Sequence, residues 1–307
     1  MALTEPTVEE IVHHAATAPK GRSLWSDARR RFLRNKAASL SLVALVLIAL
    51  FAFGGGFVAQ YDRGYVDFTL IGINSTQGVP SFATGHFFGT DQEGRDLFAR
   101  TVQGTRLSLL IGVVGSLVAV VVGTLYGAIA GYFGGRLDSA MMRIVDILLS
   151  IPFMFVLILL LVMFGRSLLM LFIGIGLISW LSMARIVRGQ TLSIKNKEFV
   201  EAAIATGVRP LTIILRHIVP NLLGVVVVYA TLLIPEMIIY ESFISFLGLG
   251  VQEPNTSLGA LISRGASQIG NGVPWQLAFP LFFFVVMLFA FYFVGDGLRD
   301  ALDPKDR

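Results

Sequence analysis

Apolar residues in this chain gather into six runs separated by polar stretches. The runs cover about residues 37–59, 107–132, 141–164, 168–187, 220–240 and 277–294. Most come close to the roughly 20 residues that a helix needs to cross a bilayer. The pattern predicts an all-α integral membrane protein with six transmembrane helices. The expected parts are a polar segment at 1–36, a first span at 37–59 and an outside loop at 60–104. A core of five spans at 105–295 and a tail at 296–307 follow. Pro152, near the middle of the third run, should kink that span.

One polar stretch between the fourth and fifth runs keeps helical periodicity. Phe199, Ala202, Ala203 and Thr206 recur at i, i+3, i+4, i+7, as do Leu211, Ile214, Leu215 and Ile218. Gly207 can take the left-handed conformation that stops a helix, and Pro210 suits the first turn of the next. Residues 196–220 therefore read as a helix–turn–helix outside the membrane, shaped to fit another protein. The plain alternative is a hairpin that only joins two spans.

The second run carries small residues every fourth position: Gly115, Ala119, Gly123, Gly127, Gly131 and Gly135. This ridge allows a second helix to come close, either within the chain or from a partner subunit.

Composition agrees with the pattern. Of the 307 residues 55% are hydrophobic and 14% charged, whereas soluble domains carry about 25% charged residues. There is no cysteine and there are four histidines, so no disulfide framework is possible and a metal site is not expected. The net charge of +4 is assigned to topology rather than to nucleic acid. Lys and Arg gather before the first run (Arg29, Arg30, Arg31, Arg34, Lys36) and at the second–third turn (Arg136, Arg143). They gather again around the helix–turn–helix (Arg185, Arg188, Lys195, Lys197) and in the tail (Arg299, Lys305, Arg307). With positive loops inside, both termini and residues 196–220 are cytoplasmic.

The chain lacks a phosphate-binding loop, a nucleophile elbow and a zinc-protease motif, so it is not expected to be an enzyme, and energy must come from a partner. Glu236 and Glu241 lie in the outer part of the fifth run. Either could face a translocation path, with Glu236 near a substrate amino group, or could be paired at the interface, which is the preferred reading. Asp146 is expected to pair with Arg143 at i, i+3. Asp91, Glu93 and Asp96 lack calcium-loop spacing and read as a turn with internal ion pairs.

Several motifs carry a resemblance. Glu201-Ala202-Ala203 with Gly207, then His217 and Pro220, resembles the coupling loop of permease subunits in binding-protein-dependent ABC importers. The run from Phe88 to Asp96 (F-G-T-D-x-x-G-R-D) is similar to a signature of peptide and nickel permeases, although the residues alone do not say what it does. Arg29–Lys36, E-S-F-x-S-F-L-G-L-G from Glu241 and Gly295–Pro304 extend the likeness over nearly the whole chain.

The resemblance implies a type I importer permease of the oligopeptide C type. It further implies a B-type permease partner, two ATP-binding subunits that hold ATP and magnesium, an extracytoplasmic peptide-binding protein and a bacterial inner-membrane location. This chain itself is expected to bind no cofactor. Dipeptide or nickel permeases are alternatives. A proton-coupled carrier using Glu236 or Glu241 is a further rival, but the two halves show no inverted repeat.

Overall fold

In a computed structural model, residues 24–71 and 78–302 are described. Lys305 and Arg307, the last two residues of the Gly295–Pro304 motif and most of the polar 1–36 segment lie outside them. The described residues form ten helices: α1 Leu24–Arg34, α2 Lys36–Gly54, α3 Leu97–Phe133, α4 Gly135–Ser150, α5 Phe153–Phe164, α6 Leu168–Ile194, α7 Glu198–Ala205, α8 Pro210–Phe246, α9 Leu258–Gln268 and α10 Trp275–Leu302. Five are long and apolar enough to cross a membrane, and the bent pair α4–α5 brings the number to six.

That pair departs from the simple kink expected at Pro152. The two helices meet at 77°. Ile151, which precedes the proline, is extended (φ −88°, ψ 125°), because the proline ring disfavours helical backbone in the residue before it. With 12 residues, α5 is about 18 Å long and needs α4 to complete the crossing.

The second span also begins earlier than its apolar run. Asp96 accepts a hydrogen bond from the Ala99 N–H at 2.7 Å, and this N-cap starts α3 at Leu97. The helix therefore starts within the stretch 60–104 that reads as loop. The last helix likewise runs beyond its apolar run at both ends, and α9 occupies part of what reads as loop between Glu241 and Trp275.

The core is built on α3 against α6. Gly123, Gly127 and Gly131 are buried, and a side chain on any of them would collide with α6. A Cβ at Gly127 would lie 2.9 Å from the Arg188 nitrogen, and one at Gly123 2.7 Å from the Trp180 carbonyl oxygen. The ridge is packing within the chain along this stretch. Gly115 looks toward Ile175 and Met237 with ordinary contact at 3.4 Å. Gly135 lies beyond the end of α3 with open space around it and is not part of the ridge.

Around this pair, α8 packs on α3 and α10, and α10 packs on α2. Asn35 caps α2. The Ala28 and Phe32 side chains of α1 pack with Val294 and Ala301 at the end of α10. Near the inner end, Arg188 grips Asp138 through Nε (3.0 Å) and Nη2 (2.5 Å), tying α4 to α6. Asp146 pairs with Arg185 at 2.7 Å, not with Arg143. Because α4 packs on α6, a partner on another helix replaces the neighbour one turn away.

Candidate functional site

The element at 196–220 divides into an inner and an outer face. Val200, Ala203, Ile213, Ile214 and Ile218 are buried in one cluster with Ala128, Met183, Val187, Leu222 and Val226, which bolts the short helices to α3, α6 and α8. Phe199, Ile204, Leu211 and Leu215 point away and are exposed, as are Glu201 and Ala202. The periodic stripes read from the sequence are thus each split. Ala203, Ile214 and Ile218 hold the element in place, while Phe199, Ala202, Leu211 and Leu215 remain available.

The turn between the helices is closed by Gly207 at φ +76°. Its N–H donates to the Ile204 carbonyl at 2.9 Å, and the Val208 N–H donates to the Ala203 carbonyl at 3.1 Å. These bonds satisfy the carbonyls that a helix end leaves open. Pro210 opens α8 in its first turn.

No break separates this second short helix from the following span. Residues Pro210–Phe246 form one 37-residue rod, about 56 Å long, where sequence periodicity starts the span near Pro220. Residues 214–218 make a widened, π-type turn within it. Pro220 follows, and the widened turn gives its ring room beside the carbonyl four residues back. His217 is half-buried, and its carbonyl accepts from Asn221 Nδ2 at 2.6 Å.

The two intramembrane carboxylates sit differently. Glu241 is fully buried and accepts from Ser245 (2.6 Å), Ser108 (3.0 Å) and Ser242 (3.3 Å). It therefore joins α8 to α3, and in this conformation no part of it faces water. Glu236 is half-buried and accepts from the Tyr240 hydroxyl at 2.6 Å, with the Tyr240 ring against Phe153 at the start of α5.

At the other end of the rod, the structure accounts for the motif from Phe88 to Asp96. Phe88 stacks on Phe279 at 4.1 Å. Gly89 and Gly94 take positive φ, and Asp91 Oδ1 accepts from the Glu93 and Arg95 N–H groups at 3.1 and 2.9 Å. Asp96 accepts from Ala99 and lies 2.8 Å from His86 Nδ1.

The charges do not stay within the turn, as the sequence reading expects. Arg95 reaches Asp91 (2.8 Å), Glu93 (2.6 Å) and Glu253 (3.0 Å), and Arg100 reaches Glu253 at 2.8 Å. Arg264 of α9 also pairs with Glu253. Burial pushes the Asp91 carboxyl up against the pull of Arg95 and Arg100. Burial also raises Glu253, but its bonds to Arg100 and Arg264 outweigh this and hold it below the ordinary range. Sequence reasoning missed Arg100, Glu253, Arg264 and Ser108. Arg100 alone left a signal, as a charge at the edge of a long apolar helix.

Residues 123–307 match the family described as the inner membrane component of binding-protein-dependent transport systems. Residues 23–74 match the N-terminal TM domain of oligopeptide transport permease C. The oligopeptide transport system permease protein OppC of Escherichia coli K12 is 58% identical over 288 residues, 94% of this chain and 93% of the relative. Its Haemophilus influenzae counterpart is 55% identical, covering 94% and 91%. The dipeptide transport system permease protein DppC of Bacillus subtilis is 42% identical, covering 93% and 87%.

Among solved structures, the inward-facing MetNI methionine ABC transporter shares the fold. Its TM-score is 0.54 at 20% identity, over 65% of this chain and 95% of that one. The chain belongs to the inner membrane components of binding-protein-dependent transport systems, on the oligopeptide permease C branch: a multi-pass permease subunit of an ABC transporter that leaves ATP hydrolysis to partner subunits.

Proposed function

We propose that this chain forms, with a B-type permease, the path by which oligopeptides enter the cell from an extracytoplasmic peptide-binding protein. Of two ATP-binding subunits, which hold ATP and magnesium, one seats on residues 196–220, with both chain termini in the cytoplasm. The observation that carries this reading is the continuity of α8. One helix begins with the exposed Leu211 and Leu215, crosses the core, and reaches Glu241 and the Ser108 that joins it to α3.

Motion at its inner end is carried along this continuous helix to the outer end. Closure of the ATPase dimer would then open the path outward, and hydrolysis would return it to the inward state. Oligopeptide cargo is favoured because the Escherichia coli and Haemophilus influenzae relatives, at 58% and 55% identity over nearly the whole chain, are oligopeptide permeases.

The test uses Glu201→Lys and Gly207→Pro in the assembled complex. Glu201 is on the exposed side, and Gly207 sits at positive φ, which proline cannot adopt. Both variants should insert in the membrane yet lose ATPase recruitment and peptide uptake. Normal recruitment and uptake in both would remove residues 196–220 from the docking role.

A further inference from the structure

A cavity of 620 Å³ lies between the outer end of α2 and the outer third of α3. Its walls change character along its length. Toward the loops it is polar, with Gln60, Tyr61, Gln103 and Asn255, and toward the bilayer it is apolar, with Phe53 and Leu110. Arg106 stands where the two parts meet. Its guanidinium lies 5.3 Å from the centre of the Phe53 ring, and it has no carboxylate partner among the described residues. Asp62 and Arg63 also line the cavity, so its ionisable side chains carry a formal excess of one positive charge.

The depth of this site follows from the apolar runs. That of α3 starts at Leu107, directly after Arg106, and that of α2 closes at about Ala59. Arg106 is therefore at headgroup level. Below it, Leu47 and Leu50 of α2 and Val113 and Leu117 of α3 are exposed, giving two apolar flanks that lead away from the cavity into the bilayer. Above it, Gln103 donates through Nε2 to Asn255 at 3.2 Å, but its Oε1 is buried without a partner. A polar wall, a cation and an apolar exit, in that order from the loops inward, match the headgroup, phosphate and acyl chains of a lipid.

We propose that this groove holds an anionic glycerophospholipid, with its phosphate on Arg106 and its headgroup against the polar wall of Gln60, Tyr61 and Gln103. The lipid fills the groove beside the contacts of α2 with α3, among them Gly55 with Val102 and Phe51 with Phe98. The site is independent of what the transporter carries, since none of its residues belongs to the cytoplasmic element or to the Glu236 surface.

The test offers phosphatidylglycerol or phosphatidylcholine to the purified, assembled complex and counts retained lipid by native mass spectrometry. The wild-type complex should keep phosphatidylglycerol in preference. Arg106→Gln should hold it roughly five-fold more weakly, and Arg106→Lys should restore most of the retention by keeping the charge. Inorganic phosphate should not displace it, because it lacks the acyl chains. Equal retention of the two lipids by the wild type overturns the proposal whether or not the variants assemble. So does undiminished retention in Arg106→Gln, as expected if the second permease covers the groove. Displacement by inorganic phosphate would instead make Arg106 a free-anion site and overturn the lipid assignment.

Discussion

Arg100 Nη2 lies 2.8 Å from Glu253 Oε1 across 153 residues of sequence, and it joins the first turn of α3 to the loop that precedes α9. Arg100 is almost wholly buried, with 1% of its side chain exposed, while Glu253 is 41% exposed. The carboxylate thus sits at the water boundary and anchors a cation that lies beneath it. Arg95 and Arg264 pair with the same carboxylate, so three arginines converge on one acid.

Replacing Glu253 with Gln should therefore destabilise the outer side by about 1–3 kcal/mol, because it weakens the charge-assisted bonds of a buried guanidinium. Arg264→Gln removes a more exposed partner and should cost less than about 1 kcal/mol. Thermal unfolding of the purified complex separates the two, and equal losses would show that burial of Arg100 does not matter.

The same acid sets a pH dependence. Despite burial, the Arg100 and Arg264 contacts hold the Glu253 carboxyl below its ordinary 4.5. Its contribution to stability is present above pH 4.5 and is lost as pH falls through the lower folded-state value. A melting series across about pH 3 to 6 should show this loss in the wild type and a flatter curve in Glu253→Gln. Parallel curves would assign acid sensitivity to other groups.

The glycine ridge should respond unevenly. Gly127→Ala places a methyl group against the Arg188 nitrogen at 2.9 Å, whereas Gly115→Ala meets only ordinary contacts at 3.4 Å. The first should lower stability by about 1–3 kcal/mol and reduce the yield of assembled complex, and the second should change little. Similar yields and melting temperatures for both would show that α3 and α6 can separate freely at Gly127.

Glu236 and Glu241 should also part company. Glu236→Gln keeps a partner for the Tyr240 hydroxyl, and ATP-driven uptake in proteoliposomes without a pH gradient should persist, even if the range of peptides changes. Glu241→Ala leaves the buried Ser108 and Ser245 hydroxyls without their acceptor and opens a void, and should cost about 2–5 kcal/mol. Uptake driven by a proton gradient and abolished by Glu236→Gln would place the protein in another class of transporter.

The sequence by itself determined the features that rest on local chemistry. Apolar runs long enough to cross a bilayer dictate the spans, since an unpaired backbone in lipid is too costly to leave outside a helix. Gly207 and Pro210 likewise specify a turn and a helix start through their own backbone limits, and the structure has both.

Tertiary structure decided what depends on partners far along the chain. The Leu211–Ile218 stripe could not say which of its residues face inward, because the inner face is defined by α3 and α6. Asp146 had Arg143 one turn away and found Arg185 instead, and Arg100 and Glu253 were brought together across 153 residues by the fold. Hydrophobic periodicity records that a helix has an apolar face, but a charge is satisfied by whatever opposite charge the fold carries to it. That placement is set by the whole chain at once.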